Sequence, residues 1–226
     1  MALALASILA EAALRHPERT ALIAGPNRIY YADLWEQARR YAACLRERGI
    51  APGDRVAIMI HNDPEFPRAY YGILALGAVV VPVHALLTGS EVAYVLRDAD
   101  AKLLVCSAPL LAAGLAGARE AGIPCLSLQA PADDADGDLG ALAAGIAPLA
   151  GYEPREPEDE AVILYTSGTT GAPKGAVLTQ SNLVLNATTV AFDLVPMDAN
   201  DVFFGALPLF HSFGQTEKHV VRVHRH

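Results

Sequence analysis

At 226 residues with 53% hydrophobic content, the chain is long enough to bury a core in one large domain or one and a half ordinary ones. Its 17 basic and 25 acidic side chains leave a formal charge of −8, which excludes a broad nucleic-acid-binding face and leaves room for a local basic pocket at most. Cys44, Cys106 and Cys125 have no metal-type spacing and sit in apolar or helical runs, so buried reduced thiols are expected rather than a disulfide framework.

The apolar start Met1–Ala6 lacks a positive n-region and is interrupted early by Glu11, so no signal peptide is read there. Asp33 to Arg48 places Leu34, Ala38, Tyr41, Ala42 and Leu45 on one face, and Gly49 stands where the helix ends. Pro52-Gly53-Asp54 turns the chain into a strand at Arg55–Ile60, Glu65–Leu76 resumes helical spacing, and Val79–Val83 is a strand again, making a β-α-β crossover. Ser90 is read as the cap of a helix running toward Asp98. Lys102–Cys106 and Ile123–Leu126 read as strands flanking a helix at Leu110–Ala121. Strands alternating with helices predict an α/β fold with a largely parallel sheet. The longest apolar stretch, Tyr70 to Leu87, is broken by Gly72, Gly77, Pro82 and His84, so no transmembrane segment is expected and a cytoplasmic location is.

From Gln129 to Glu158 the pattern dissolves into Ala, Asp, Gly and Pro, which predicts a solvent-exposed connection with one short helix near Leu139–Ala144. Beyond it a strand is read at Glu160–Tyr165, a short strand after Gly175, a helix opening near Ser181-Asn182 and a strand at Asp201–Phe204. The expected division is a first α/β subdomain at 1–128, an exposed linker at 129–159, the start of a nucleotide-binding subdomain at 160–216 and an aberrant tail at 217–226.

The run Tyr165-Thr166-Ser167-Gly168-Thr169-Thr170-Gly171-Ala172-Pro173-Lys174-Gly175 carries the chemistry. Glycines let main-chain N–H groups converge on an anion, hydroxyls add rotatable donors, and a lysine supplies a point charge, which together suit the polyphosphate of a nucleoside triphosphate. Gly168 and Lys174 stand at the separation of a Walker loop, but Pro173 replaces its second glycine and Gly175 its magnesium-binding hydroxyl. Ala176-Val177-Leu178-Thr179 reads as a strand, so the loop is expected to join two strands, the plain alternative being an ordinary Gly/Thr-rich hairpin turn.

Tyr165 to Gly175 resembles the signature loop of the adenylate-forming superfamily, which holds acyl-CoA synthetases, luciferases and peptide-synthetase adenylation domains. Leu207-Pro208-Leu209-Phe210-His211-Ser212-Phe213-Gly214 resembles that family's next core motif. Weaker similarity lies at Tyr31–Leu34, Gly49–Ala57 and Leu76–Val83, so the resemblance covers nearly all of residues 1–216. It implies the large N-terminal domain of such enzymes and a reaction in which a carboxylate attacks the α-phosphate of ATP, with Mg2+, before coenzyme A displaces AMP. By the same resemblance Thr166, Ser167, Gly168, Thr169, Thr170, Gly171 and Lys174 bind the ATP phosphates, and His211 borders the acyl pocket beside the adenylate. A purely structural core histidine is the alternative for His211.

After Thr216 the pattern of the family is lost. Glu217–His226 reads as a frameshift or premature stop, with a genuine short end or a cloning scar as the other possibilities. His219, His224 and His226 lack a second rigid element and are read as a disordered basic end; no metal site is expected. Phe213-Gly214-Gln215-Thr216-Glu217 mimics a later family motif that handles the α-phosphate and magnesium, and is read as coincidence. The later adenine and ribose motifs and the small C-terminal domain with its adenylation lysine have no counterpart in this sequence. No complete catalytic set is therefore expected. The function expected is that of an N-terminal fragment of an ATP-dependent acyl-CoA synthetase acting on a fatty acid, inactive alone. An aryl-CoA ligase or peptide-synthetase adenylation fragment is the alternative within the family, and a non-catalytic nucleotide-binding or interaction protein the alternative outside it.

Overall fold

The computed structural model describes residues 4–130, 135–166, 172–191, 201–205 and 207–209. The chain begins with α1 (Ala6–Arg15) and a hairpin of β1 (Thr20–Ala24) and β2 (Asn27–Tyr30), then enters α2 (Tyr31–Glu47). The hairpin is antiparallel, turning at Gly25 with φ 57°. Helix α2 buries the predicted stripe of Leu34, Ala38, Tyr41, Ala42 and Leu45, and Gly49 follows it with φ 82°.

Next come β3 (Arg55–Met59), α3 (Glu65–Ala75) and β4 (Val79–Pro82), the expected crossover. Strands β3 and β4 run parallel with Arg55 opposite Val79 and Ile58 opposite Pro82. Helix α4 (Gly89–Asp98), β5 (Ala101–Ser107), a 3-10 turn at Ala108–Leu110, α5 (Leu111–Ala121) and β6 (Cys125–Leu128) extend the sheet on the other side of β3. After α6 (Leu139–Ala144), the chain forms β7 (Glu160–Thr166), β8 (Lys174–Thr179) and α7 (Gln180–Thr189). The main sheet is six-stranded in the order β6-β5-β3-β4-β7-β8, with only the β7–β8 pair antiparallel.

The central strands are apolar throughout because helices cover both faces. In β3, Val56 and Ile58 join the core under α2 and α3, whereas Ala57 and Met59 join the core under α4 and α5. Helices α4 and α5 meet closely: a Cβ at Gly117 would stand 2.5 Å from Val92 Cγ1. All three cysteines are buried and free, as expected.

Three readings change. Helix α4 is capped by Thr88, not Ser90, which lies inside the helix. The Glu91 carboxylate accepts from the Thr88 N–H at 2.8 Å and its hydroxyl at 2.7 Å, and these bonds hold Glu91 below the usual carboxylate range. The stretch at 129–158 is not simply solvent-exposed, although its short helix falls where predicted. Leu139 is 0% exposed, Arg39 Nη1 donates to Leu149 O at 2.6 Å, Arg40 Nη1 donates to Ile146 O at 2.7 Å, and the Glu153 N–H donates to Ala75 O at 2.8 Å. Its few apolar residues find α2 without any local period, and arginines on α2 supply donors that its irregular carbonyls need. Finally, Asp201–Phe204 forms no continuous strand; within it Phe203 makes a single β-bridge.

A buried polar cluster ties α2 to α3. Tyr41 Oη donates to Glu65 Oε2 at 2.6 Å, and Arg68 pairs with the other carboxylate oxygen. Glu65 opens α3, where the orphan N–H groups of a helix start favour a carboxylate. Burial, with Glu65 next in effect, pushes the Tyr41 phenol well above its ordinary range.

Candidate functional site

Strands β7 and β8 are the strand–loop–strand unit that the sequence predicts around the glycine-rich run. Their register pairs Tyr165 with Gly175 and Thr166 with Lys174, so the last two residues face each other at the mouth of the loop. Because β7 runs parallel to β4, this mouth opens at the carboxyl edge of the parallel strands. That edge is where open α/β sheets place ligands.

Thr166 and Lys174 are both exposed. Lys174 makes no ion pair with a described residue. A solvated ammonium standing across the strand pair from a threonine hydroxyl is a fitting donor pair for an anion entering from solvent. Ser167, Gly168, Thr169, Thr170 and Gly171 lie outside the described residues, as do His211 and the tail with His219, His224 and His226. Among the described residues no cluster of His, Cys, Asp and Glu could hold a metal ion. No helix among them is long and apolar enough to cross a membrane.

The two stems of the loop are held from α4. Tyr165 Oη donates to Asp98 Oδ2 at 2.6 Å, and Tyr94 Oη donates to Pro173 O at 3.0 Å. Tyr94 and Asp98 lie one helical turn apart and so share a face of α4. Burial, followed by the Asp98 bond and charge, pushes the Tyr165 phenol above its ordinary range, so it stays a neutral donor. Gly175 makes the arrangement possible, since a Cβ there would stand 2.9 Å from Ile163 Cγ2 and 3.2 Å from the Tyr165 ring. The ring thus lies over a backbone that carries no side chain.

Beneath the hairpin a groove of about 330 Å³ is lined by Arg55, Asp98, Glu160, Tyr165, Gly175 and Val177 among others. A second groove of about 380 Å³ lies between α2, α3 and α6, around Arg40, Glu65 and Arg68. Both are mixed in polarity, and neither has the apolar lining of an acyl pocket.

Tyr94 and Asp98 were not legible as site residues. A Tyr-x-x-x-Asp pair on an amphipathic helix looks like an ordinary half-exposed face, and only the sheet order brings α4 against the loop.

Comparisons with known proteins agree with this geometry. The family described as AMP-binding enzyme matches residues 9–221. A crotonobetaine/carnitine–CoA ligase from Salmonella typhi is 36% identical over 187 residues, covering 80% of this chain and 36% of that ligase. Among solved structures, a benzoate CoA ligase from Burkholderia xenovorans LB400 superposes with a TM-score of 0.85 at 29% identity, covering 93% of this chain and 41% of that one. A long-chain-fatty-acid–CoA ligase from Archaeoglobus fulgidus gives 0.85 at 26% identity, covering 96% and 45%. The chain thus spans well under half the length of these relatives. With the parallel sheet, the β7 and β8 ends carrying Thr166 and Lys174 at its carboxyl edge and a family match over nearly the whole sequence, the chain belongs to the AMP-binding enzyme family, the adenylate-forming enzymes.

Proposed function

We propose that this chain supplies the phosphate-gripping part of an ATP-dependent carboxylic acid–CoA ligase and does not complete the reaction alone. The observation that carries the reading is the β7–β8 hairpin, with Thr166 opposite Lys174 at the carboxyl edge and both stems tied to α4. In the first step a carboxylate attacks the α-phosphorus of ATP and pyrophosphate leaves. Two anions must approach, so the hydroxyls of Thr166, Ser167, Thr169 and Thr170, the N–H groups of Gly168 and Gly171, and the Lys174 ammonium would bind the outer phosphates and offset the charge gathering on pyrophosphate. Mg2+ would arrive with the nucleotide and screen the same charge. Coenzyme A would then displace AMP from the acyl-adenylate.

His211 is assigned to the acid side of the adenylate, with Phe210 and Phe213 giving it an apolar flank. A fatty acid is the preferred substrate on that flank, and the likeness to a long-chain-fatty-acid–CoA ligase supports it. A small polar or aromatic acid is the second reading, favoured by the 36% identity to a crotonobetaine/carnitine–CoA ligase and the likeness to a benzoate CoA ligase.

Carboxylate-dependent ATP–pyrophosphate exchange tests this directly. With palmitate, hexanoate, benzoate or carnitine as the acid, the 226-residue chain is expected to show no exchange above background. Exchange with any of them, lost in Lys174→Ala, would overturn the inactivity and name the acid class at once.

A further inference from the structure

The loop that follows β3, His61-Asn62-Asp63, sits where the strand order reverses, since β3 leads through α3 to β4 on one side while its other neighbour β5 leads through α5 to β6. Such a switch point leaves a crevice at the carboxyl edge, and the loops bordering it are well placed to shape a site. The Asn62 side chain lies across that edge from a segment more than a hundred residues later in sequence. Its Nδ2 donates to Leu207 O at 2.8 Å and to Gly205 O at 3.3 Å, while its Oδ1 accepts from the Leu209 N–H at 2.8 Å.

Both amide protons and the carbonyl of one side chain are therefore spent on the main chain of a single segment. No other natural side chain of this length offers two donors and an acceptor in that arrangement. Aspartate would set a charge against two carbonyl oxygens, and serine has too few donors.

The platform beneath Asn62 is itself pinned. Asp63 Oδ1 accepts from the Glu65 N–H at 2.9 Å, fixing the loop to the start of α3. The same oxygen accepts from Gln129 Nε2 at 3.4 Å, fixing it to the end of β6. Gln129 takes φ 60°, a left-handed conformation that a non-glycine residue adopts at some cost, and its side chain is thereby held in reach of Asp63.

Leu209 leads directly into Phe210 and His211. We infer that Asn62 is a positioning residue for the acid side of the proposed site: it fixes the main chain at Gly205, Leu207 and Leu209, just before His211 in sequence, at the carboxyl edge that also carries Thr166 and Lys174. It touches no reacting atom and acts through the segment it holds. The role rests on the proposed ligase function, whereas the clamp itself does not.

Two measurements on the whole chain separate the clamp from the function. The first is residue-resolved amide hydrogen exchange at Leu209 in wild type, Asn62→Leu and Asn62→Gln. Loss of the bonds in Asn62→Leu is expected to speed Leu209 exchange about tenfold or more, with partial rescue in Asn62→Gln and unchanged protection at Val105 in β5. Unchanged Leu209 exchange in Asn62→Leu overturns the inference.

The second measurement is the affinity of each variant for ATP and for palmitoyl- and benzoyl-sulfamoyl-adenosine, non-reactive mimics of an acyl-adenylate. Asn62→Leu is expected to weaken at least one mimic about fivefold or more while ATP affinity stays within about twofold. Equal losses for ATP and mimic, or no loss for either, overturn the positioning role. A wild-type chain that binds none of the probes removes the ligase reading and the positioning role with it, and the exchange result then decides the clamp alone.

Discussion

Tyr94 holds the carbonyl of Pro173, the residue before Lys174, and so fixes one stem of the glycine-rich loop from outside it. Tyr94→Phe keeps the ring and removes only the hydroxyl, a bond worth about 0.5–1.5 kcal/mol. We expect this variant to lose no more than that in stability and to weaken ATP binding about two- to tenfold, read by a urea curve and calorimetric titration on the same sample. Unaltered ATP affinity would detach α4 from the function. At this scale the sequence shows residues whose chemistry is unusual for their surroundings: Thr166 and Lys174 stand out because glycines, hydroxyls and a lysine rarely crowd together without a ligand. It hides Tyr94, Asp98 and Asn62, whose types are unremarkable and whose roles exist only once α4 and the β3 loop have been placed beside distant chain.

Among the elements, those with a strong period were legible to within a few residues. Helix α2 shows its apolar stripe and glycine stop, and β3 and β4 read as short apolar runs separated by helical spacing. The β1–β2 hairpin was not read, since β1 is mostly half-buried and shows no clean alternation for a pattern to reveal. The segment around α6 is more buried than its composition suggests, because sparse apolar residues among Ala, Asp and Gly carry no period. Its packing has a measurable consequence. Leu139 is fully buried in the core under α2, and Leu139→Ala should cost about 2–4 kcal/mol from lost burial and the cavity left behind. Urea unfolding of this variant checks the value. A loss below about 0.5 kcal/mol would mean that α6 is only loosely seated, as the composition alone would have it.

For the whole molecule, several phenols and thiols are buried where only their neutral forms are tolerated. Burial pushes Cys125 up to about 12 from 9.0 and Tyr71 up to about 12 from 10.0, and moves Cys106 and Tyr70 in the same direction. The unfolded chain releases these protons near the ordinary values, whereas the folded chain keeps them to higher pH. Their contribution to stability is thus complete below about pH 8 and declines as pH rises through 9 and 10 toward the folded values. The urea midpoint should fall steadily between about pH 8 and pH 10.5, and a flat profile would show that these groups are solvated in the folded state. Sheet order, unlike sheet class, could not be read: β-α-β spacing announces parallel strands, but which neighbours pair is decided by the helices that pack on each face. That order is what brings Thr166 and Lys174 to the carboxyl edge beside α4, and the proposed grip of the glycine-rich run on a triphosphate is the claim on which the functional reading stands. Calorimetric titration of the 226-residue chain with MgATP, beside Lys174→Ala, tests it most directly. We expect saturable one-site binding by the wild type and an affinity at least about tenfold weaker in the variant, the scale of one lost charge-assisted contact. Equal affinity in the two proteins, or no binding by a folded wild-type chain, would contradict it.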